Sequence, residues 1–202
     1  TLYLNKYSDV VKFAITSHFQ GAKMKKMFTI FTALFALQVS AQDLTYQAGS
    51  LPEPDKIEKV LSAGNPSDVL LLAVAPEKLA GFAGFKMESK AGALFEGEIK
   101  KLPTLGKIAG KGSTLSAEKI VALKPDLIID VGNVAPNYKD QADHTFAQTQ
   151  VPYLLLDGRL SETPALLRKL GKLLGNEKQA EEQAKYAEDI LKQASDFAKQ
   201  HH

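Results

Sequence analysis

Three short, nearly unbroken apolar runs constrain this chain most: residues 69–74 (VLLLAV), 127–131 (LIIDV) and 153–156 (YLLL). A strand covered on both faces reads as a continuous apolar run, not as an alternation, and that is the mark of a parallel sheet lying between helices. Pro76 ends the first run, and residues 102–108 (LPTLGKI) are expected to add a short strand after a glycine-spaced loop. Between the runs the spacing turns helical. A helix is expected over 118–123, capped by Ser113 or Thr114 and broken at Lys124-Pro125, because the residue before proline resists the helical region. Another spans 138–148. A third has Thr163 as N-cap, Pro164 in its first turn, a face of Leu166, Leu167, Leu170, Leu173 and Leu174, and Gly175 as its stop.

Residues 42–56 form a polar opening, whereas from Asn176 onward Ala180, Ala184, Ala187, Ile190, Leu191, Ala194 and Phe197 recur at helical spacing. About 24 residues at 1.5 Å each give one amphipathic helix of roughly 36 Å. The expected fold class is therefore α/β: a lobe over 42–175 with a mostly parallel sheet flanked by helices, followed by a long amphipathic helix over 176–202. Ligands of such sheets gather beyond the carboxyl ends of the strands.

Composition narrows the function. With 45% hydrophobic and 24% charged residues the chain has the balance of a globular protein. Lys+Arg 25 against Asp+Glu 23 leaves a net charge of +2, too little for a face that tracks phosphates, so nucleic acid is not an expected partner. The chain has no cysteine, which excludes disulfides, thiolate metal sites, thiol nucleophiles and a lipid anchor on an N-terminal cysteine.

The start carries a second constraint. Lys25 and Lys26 precede the apolar stretch 27–37 and then Gln38-Val39-Ser40-Ala41: a positive region, a greasy core and a small-x-small exit. The stretch is about half of the roughly 20 residues that cross a bilayer, so residues 24–41 read as a cleaved secretory signal, with a buried helix as the alternative. Cleavage after Ala41 makes Gln42 the first mature residue of an exported protein without a lipid tether. Residues 1–23 read as upstream or non-native sequence, Met24 and Met27 both being credible starts. The closing helical stretch stops at His201-His202 without a turn signal and reads as a truncation.

Several chemistries fail on spacing. The stretch Gly106-Lys107-Ile108-Ala109-Gly110-Lys111-Gly112-Ser113 has three residues between its first glycines where a phosphate loop needs four, and glycine where Ser or Thr must follow the lysine. It also lacks the dinucleotide fingerprint. His18, His144, His201 and His202 form no helical metal-ligand pair, and no serine lies in a nucleophile elbow. Neither catalytic residues nor protein metal ligands are nominated.

The segments Leu102-Pro103-Thr104-Leu105-Gly106, then 116–129 (SAEKIVALKPDLII), Val151-Pro152-Tyr153, and 171–177 (GKLLGNE) followed by Ala180 carry a likeness. Over roughly residues 65–195 the chain resembles the ABC-importer substrate-binding proteins of the iron-siderophore and vitamin B12 type. The resemblance implies a two-lobed periplasmic receptor with the ligand held between lobes that one rigid helix joins. On that basis 42–175 is the first lobe, 176–202 is the connecting helix and the second lobe is absent from this chain. It implies capture of an iron-siderophore or related chelate (haem, cobalamin, a nickel complex) and delivery to an ABC permease by a monomeric receptor. No separate cofactor is expected, since the ligand arrives as a pre-formed metal chelate. Glu118 starts a helix, where a carboxylate favours the dipole, and the resemblance further implies that it docks on a permease arginine.

Such ligands are bulky and often anionic, so cations, aromatic rings and amides beyond the strand ends are the candidates: Pro76, Lys111, Asn133, Tyr138 and Arg159. Each has a plainly structural alternative: strand stop, loop charge, turn former, core packing and neighbour of the next helix, in that order. An enzyme of metal or tetrapyrrole metabolism on a similar lobe is the competing reading, and a structural or adhesive envelope module is a third.

Overall fold

A computed structural model describes residues 45–110 and 112–201. The expected signal at 24–41, the upstream segment 1–23 and Lys111 lie outside the described residues. Four strands, β1 (Thr45–Ala48), β2 (Val60–Ser62), β3 (Leu127–Gly132) and β4 (Tyr153–Asp157), form one sheet in the order β1-β4-β3-β2. β2, β3 and β4 are parallel, whereas β1 joins the β4 edge antiparallel, Thr45 opposite Leu156. The helices are α1 (Asn65–Val74), α2 (Ala117–Leu123), α3 (Pro136–Thr149), α4 (Thr163–Leu174) and α5 (Glu177–Gln200).

Side chains alternate across the sheet and so build two cores. Leu127, Ile129, Leu154 and Leu156 pack with Leu71 and Val74 of α1, Leu166, Leu170 and Leu174 of α4, and Ala180 and Ala184 of α5. Leu61, Ile128, Tyr153 and Leu155 pack on the other face with Ile120 of α2 and Ala142 of α3. Full burial of each such Leu or Ile is worth about 1.5–3 kcal/mol before entropy is counted. Asp126 ties the start of β3 to the start of the edge strand β2: its Oδ2 accepts from the Glu58 and Lys59 amides at 2.8 Å, while its own amide donates to the Lys59 carbonyl at 2.8 Å.

The run at 69–74 is helix, not strand. Pro66 sits in the first turn, where its missing N–H costs nothing, and Asp68 favours the positive dipole end. Leu71 and Val74 are buried while Val69 is 60% exposed, a helical division of the same letters. Residues 102–108 form no strand either; a single bridge joins Phe82 to Thr104, and Gly106 turns the chain at φ +110°. The cap of α2 is Ser116, whose side chain accepts from the Lys119 amide, whereas Ser113 and Thr114 bond back to Lys107 and Ile108. A turn of 3-10 helix over Leu160–Glu162 runs directly into α4, so Thr163 is already helical and Glu162 occupies the cap position. The polar opening contains β1, and β2, with three residues, is too short to show a period in the sequence.

Candidate ligand-binding edge

The carboxyl ends of β3 and β4 are held backbone to backbone. The Gly158 amide donates to the Gly132 carbonyl at 2.6 Å, and a Cβ on Gly158 would lie 3.2 Å from that oxygen and 3.3 Å from Val131 Cγ1. The ring of Tyr138, in the first turns of α3, lies over Gly132, 3.5 Å from where a Cβ would stand. Only residues 133–135 separate the end of β3 from Pro136, the first residue of α3, and this short link brings Tyr138 back over the strand end. Tyr138 remains 38% exposed, and Leu160, just past β4, is 73% exposed.

Arg159 occupies the same corner. Its Nε donates to both oxygens of Asp157 at 3.0 Å, and its amide donates to Asp157 Oδ1 at 3.0 Å. The side chain of Asp157 is 12% exposed and that of Arg159 is 46% exposed. Burial alone would raise the Asp157 carboxyl; the hydrogen bonds from the Arg159 side chain and backbone outweigh it and hold the group below its ordinary range. The same bond to Asp157 raises the Arg159 guanidinium, so the cation is permanent.

Two further loops reach this end of the lobe. The Ala63 carbonyl, just past β2, accepts from the Ile108 and Ala109 amides at 3.0 and 3.2 Å, which seats the glycine-rich loop there. Buried Asp68, in the first turn of α1, accepts from the Ala83, Gly84 and Phe85 amides at 2.8, 3.0 and 3.1 Å and so fixes the 82–85 loop against the start of that helix.

Of the residues expected from sequence, Asn133, Tyr138 and Arg159 are gathered at the carboxyl edge, Asn133 exposed at the end of β3. Lys111 is not among the described residues. Pro76 is a correction. Because 69–74 is a helix running back from the carboxyl end of β2, Pro76 stands at the opposite end of the lobe, in an open groove with Val74, Glu77 and Asn176. Glu118 is exposed in the first turn of α2, and its own backbone amide and the Ser116 hydroxyl lower its carboxyl. Sequence reasoning missed Asp157 and Asp68. Asp157-Gly158-Arg159 carried a usable signal, since an aspartate two residues before a loop amide commonly closes a turn of this kind. Nothing local marked Asp68, whose partners lie 15 to 17 residues on.

Among the described residues no group of three or more His, Cys, Asp or Glu side chains is placed to hold a metal ion, and no helix is long and apolar enough to cross a membrane.

No protein-family model and no curated protein matches the chain. Solved structures do. An ABC transporter solute-binding protein from Sulfurospirillum deleyianum aligns at 23% identity and TM-score 0.60 over 72% of this chain and 45% of its own. A TroA-like periplasmic binding protein from Veillonella parvula aligns at 25% identity and TM-score 0.50 over 68% of this chain and 42% of its own. A periplasmic heme-binding protein from Roseiflexus aligns at 21% identity and TM-score 0.51 over 71% of this chain and 51% of its own. The chain thus spans about half the length of these proteins. Over the aligned residues the chain shares the fold of the periplasmic solute-binding proteins of ABC transporters.

Proposed function

We propose that this chain is the ligand-facing first lobe of an ABC-importer receptor that captures a pre-formed metal chelate and hands it to a membrane permease. The observation that carries the reading is the convergence of Tyr138, Asn133 and an aspartate-held Arg159 at the carboxyl edge of a sheet with the solute-binding-protein fold. An aromatic face, an amide and a fixed guanidinium are what a bulky, often anionic chelate needs from one wall of a cleft. Iron-siderophores and haem are the leading ligands, cobalamin and nickel complexes being of the same kind. The role is binding, not catalysis.

The same reading assigns α5 to the connection between lobes. Its first half is seated, with Ala180 and Ala184 buried, while farther along Tyr186, Ile190 and Phe197 are 67%, 44% and 64% exposed. A second lobe covers that stripe in this proposal, and the receptor acts as a monomer. The protein works in the periplasm after cleavage behind Ala41, with no lipid anchor. The intact mass of the exported protein reads that cut.

Thermal unfolding of the full-length protein with a ferric tris-hydroxamate, a ferric tris-catecholate, hemin and cobalamin tests the function. A specific chelate at 100 times its Kd stabilises by about 2.7 kcal/mol, so at least one melting temperature rises with ligand concentration. Four unchanged curves would overturn the receptor assignment.

A further inference from the structure

Lys107 is a cation on a fixed base. Its amide donates to Thr114 Oγ1 at 3.1 Å, and its carbonyl accepts from the Thr114 and Leu115 amides at 2.9 and 3.0 Å. The next residue, Ile108, is bonded through its amide to the Ala63 carbonyl, so the root of the Lys107 side chain is held just past the carboxyl end of β2. From there the side chain crosses Gly84. A Cβ on Gly84 would stand 3.1 Å from Lys107 Cε and would collide with Asn65 Oδ1, so Lys107 and Asn65, the first residue of α1, come together over bare backbone. Lys107 is partly buried, yet among the described residues neither its ammonium nor the Asn65 carboxamide has a hydrogen-bond or ion-pair partner. The carboxylate under the same loop, Asp68, is committed to the Ala83, Gly84 and Phe85 amides. Taking part of an ammonium out of water without a counter-ion is unfavourable, and an arriving anion relieves that cost.

We infer that Lys107, with Asn65 beside it, is a second anchor of the binding edge and takes an anionic group at the rim of the chelate, a carboxylate or a catecholate oxygen. The ammonium supplies charge and the carboxamide a further donor. The inference rests on the proposed function and narrows it. β2 lies beside β3 and two positions from β4, so a ligand that reaches from this anchor to the turn after β4 spans two strand spacings, about 9.5 Å. Such a ligand is wide and carries negative charge at its periphery.

The experiment titrates the full-length protein with two matched pairs of probes, hemin against its dimethyl ester and a ferric tris-catecholate against a neutral ferric tris-hydroxamate. It compares the unaltered protein with Lys107→Met, which keeps an unbranched stem and removes the charge, and with Lys107→Arg. For the pair whose anionic member the unaltered protein binds, Lys107→Met weakens that member by about tenfold or more, the range of a charged hydrogen bond, and leaves the neutral member unchanged. Lys107→Arg restores most of the loss, which separates lost charge from lost packing where the neutral member does not bind at all. A lysine that only offsets Asp68 or braces its loop would, on substitution, weaken both members equally and lower the melting temperature, and that result overturns the inference. Unchanged binding of the anionic member by Lys107→Met overturns it too, as does an unaltered protein that binds only neutral members. Binding of cobalamin alone removes this inference and leaves the receptor reading standing, whereas a protein that binds no chelate loses both.

Discussion

Tyr153 is fully buried, and its hydroxyl donates to Asp130 Oδ2 at 2.8 Å beneath α3. Burial raises the Asp130 carboxyl above its ordinary range, the bonds from Tyr153 and the Val131 backbone offsetting only part of that. Burial, the neighbouring Asp130 charge and the same bond push the Tyr153 phenol far up, so it stays a donor. The consequence for stability has a definite sign. A carboxyl whose folded pKa is raised binds a proton in the folded state that the unfolded chain has released, so stability falls as pH climbs from the unfolded carboxylate range through the folded pKa. Asp130→Asn keeps an acceptor for Tyr153 and removes the buried charge. Its urea midpoint is expected to exceed that of the unaltered protein at pH 7, with the gain shrinking toward pH 4. A gain independent of pH would show that packing, not charge, is responsible. The run LIIDV announced a buried strand, but not that its aspartate meets a tyrosine 23 residues later.

At the scale of elements, the α4–α5 contact turns on Gly171. A Cβ there would collide with the Ala180 methyl and stand 3.2 Å from the Asn176 carbonyl, so the two helices approach only because Gly171 has no side chain. Arg168 braces the same pair, its guanidinium donating to Glu181 at 2.7 Å and to Glu188 at 2.5 Å. Gly171→Ala is expected to cost about 1–3 kcal/mol by overpacking, read as a lower denaturation midpoint. Adding Ala180→Gly should recover part of it. No recovery would place the strain elsewhere.

The elements differ in how far sequence disclosed them. α4 and α5 were legible because apolar residues repeat over three turns or more, and β3 and β4 because their runs are short and bounded. α1 was misread since six apolar letters fit either period, and the deciding residues, Pro66 and Asp68, stand outside the run. β2 has three residues, too few to show any period, and in β1 only Ala48 is buried.

For the whole molecule, the candidate edge was half legible. Tyr138 and Arg159 follow strand ends that the sequence revealed, whereas Pro76 was placed there only through the misread strand. Glu118 belongs to this scale because its expected role is toward another protein. α2 starts beside the loop seated on Ala63 and ends at the amino end of β3, so Glu118 stands exposed toward the carboxyl-edge end of the lobe. Under the receptor proposal, Glu118→Arg in the full-length protein leaves chelate affinity unchanged but lowers uptake severalfold, since like charges then face each other at the permease. Normal uptake would remove the docking role. Lost affinity would move Glu118 into the cleft.

The antiparallel edge strand bears on when this lobe can fold. Thr45 opens β1, yet its strand partner is Leu156 and its side chain meets Lys169 across 124 residues of chain. β1, the first of the described strands to leave a ribosome, therefore has nothing to pair with until β4 has followed it. Closing so long a loop comes late and slowly. Until then the β4 position stays vacant and one edge of the sheet unsealed, so the sheet is completed only when nearly the entire lobe has been made.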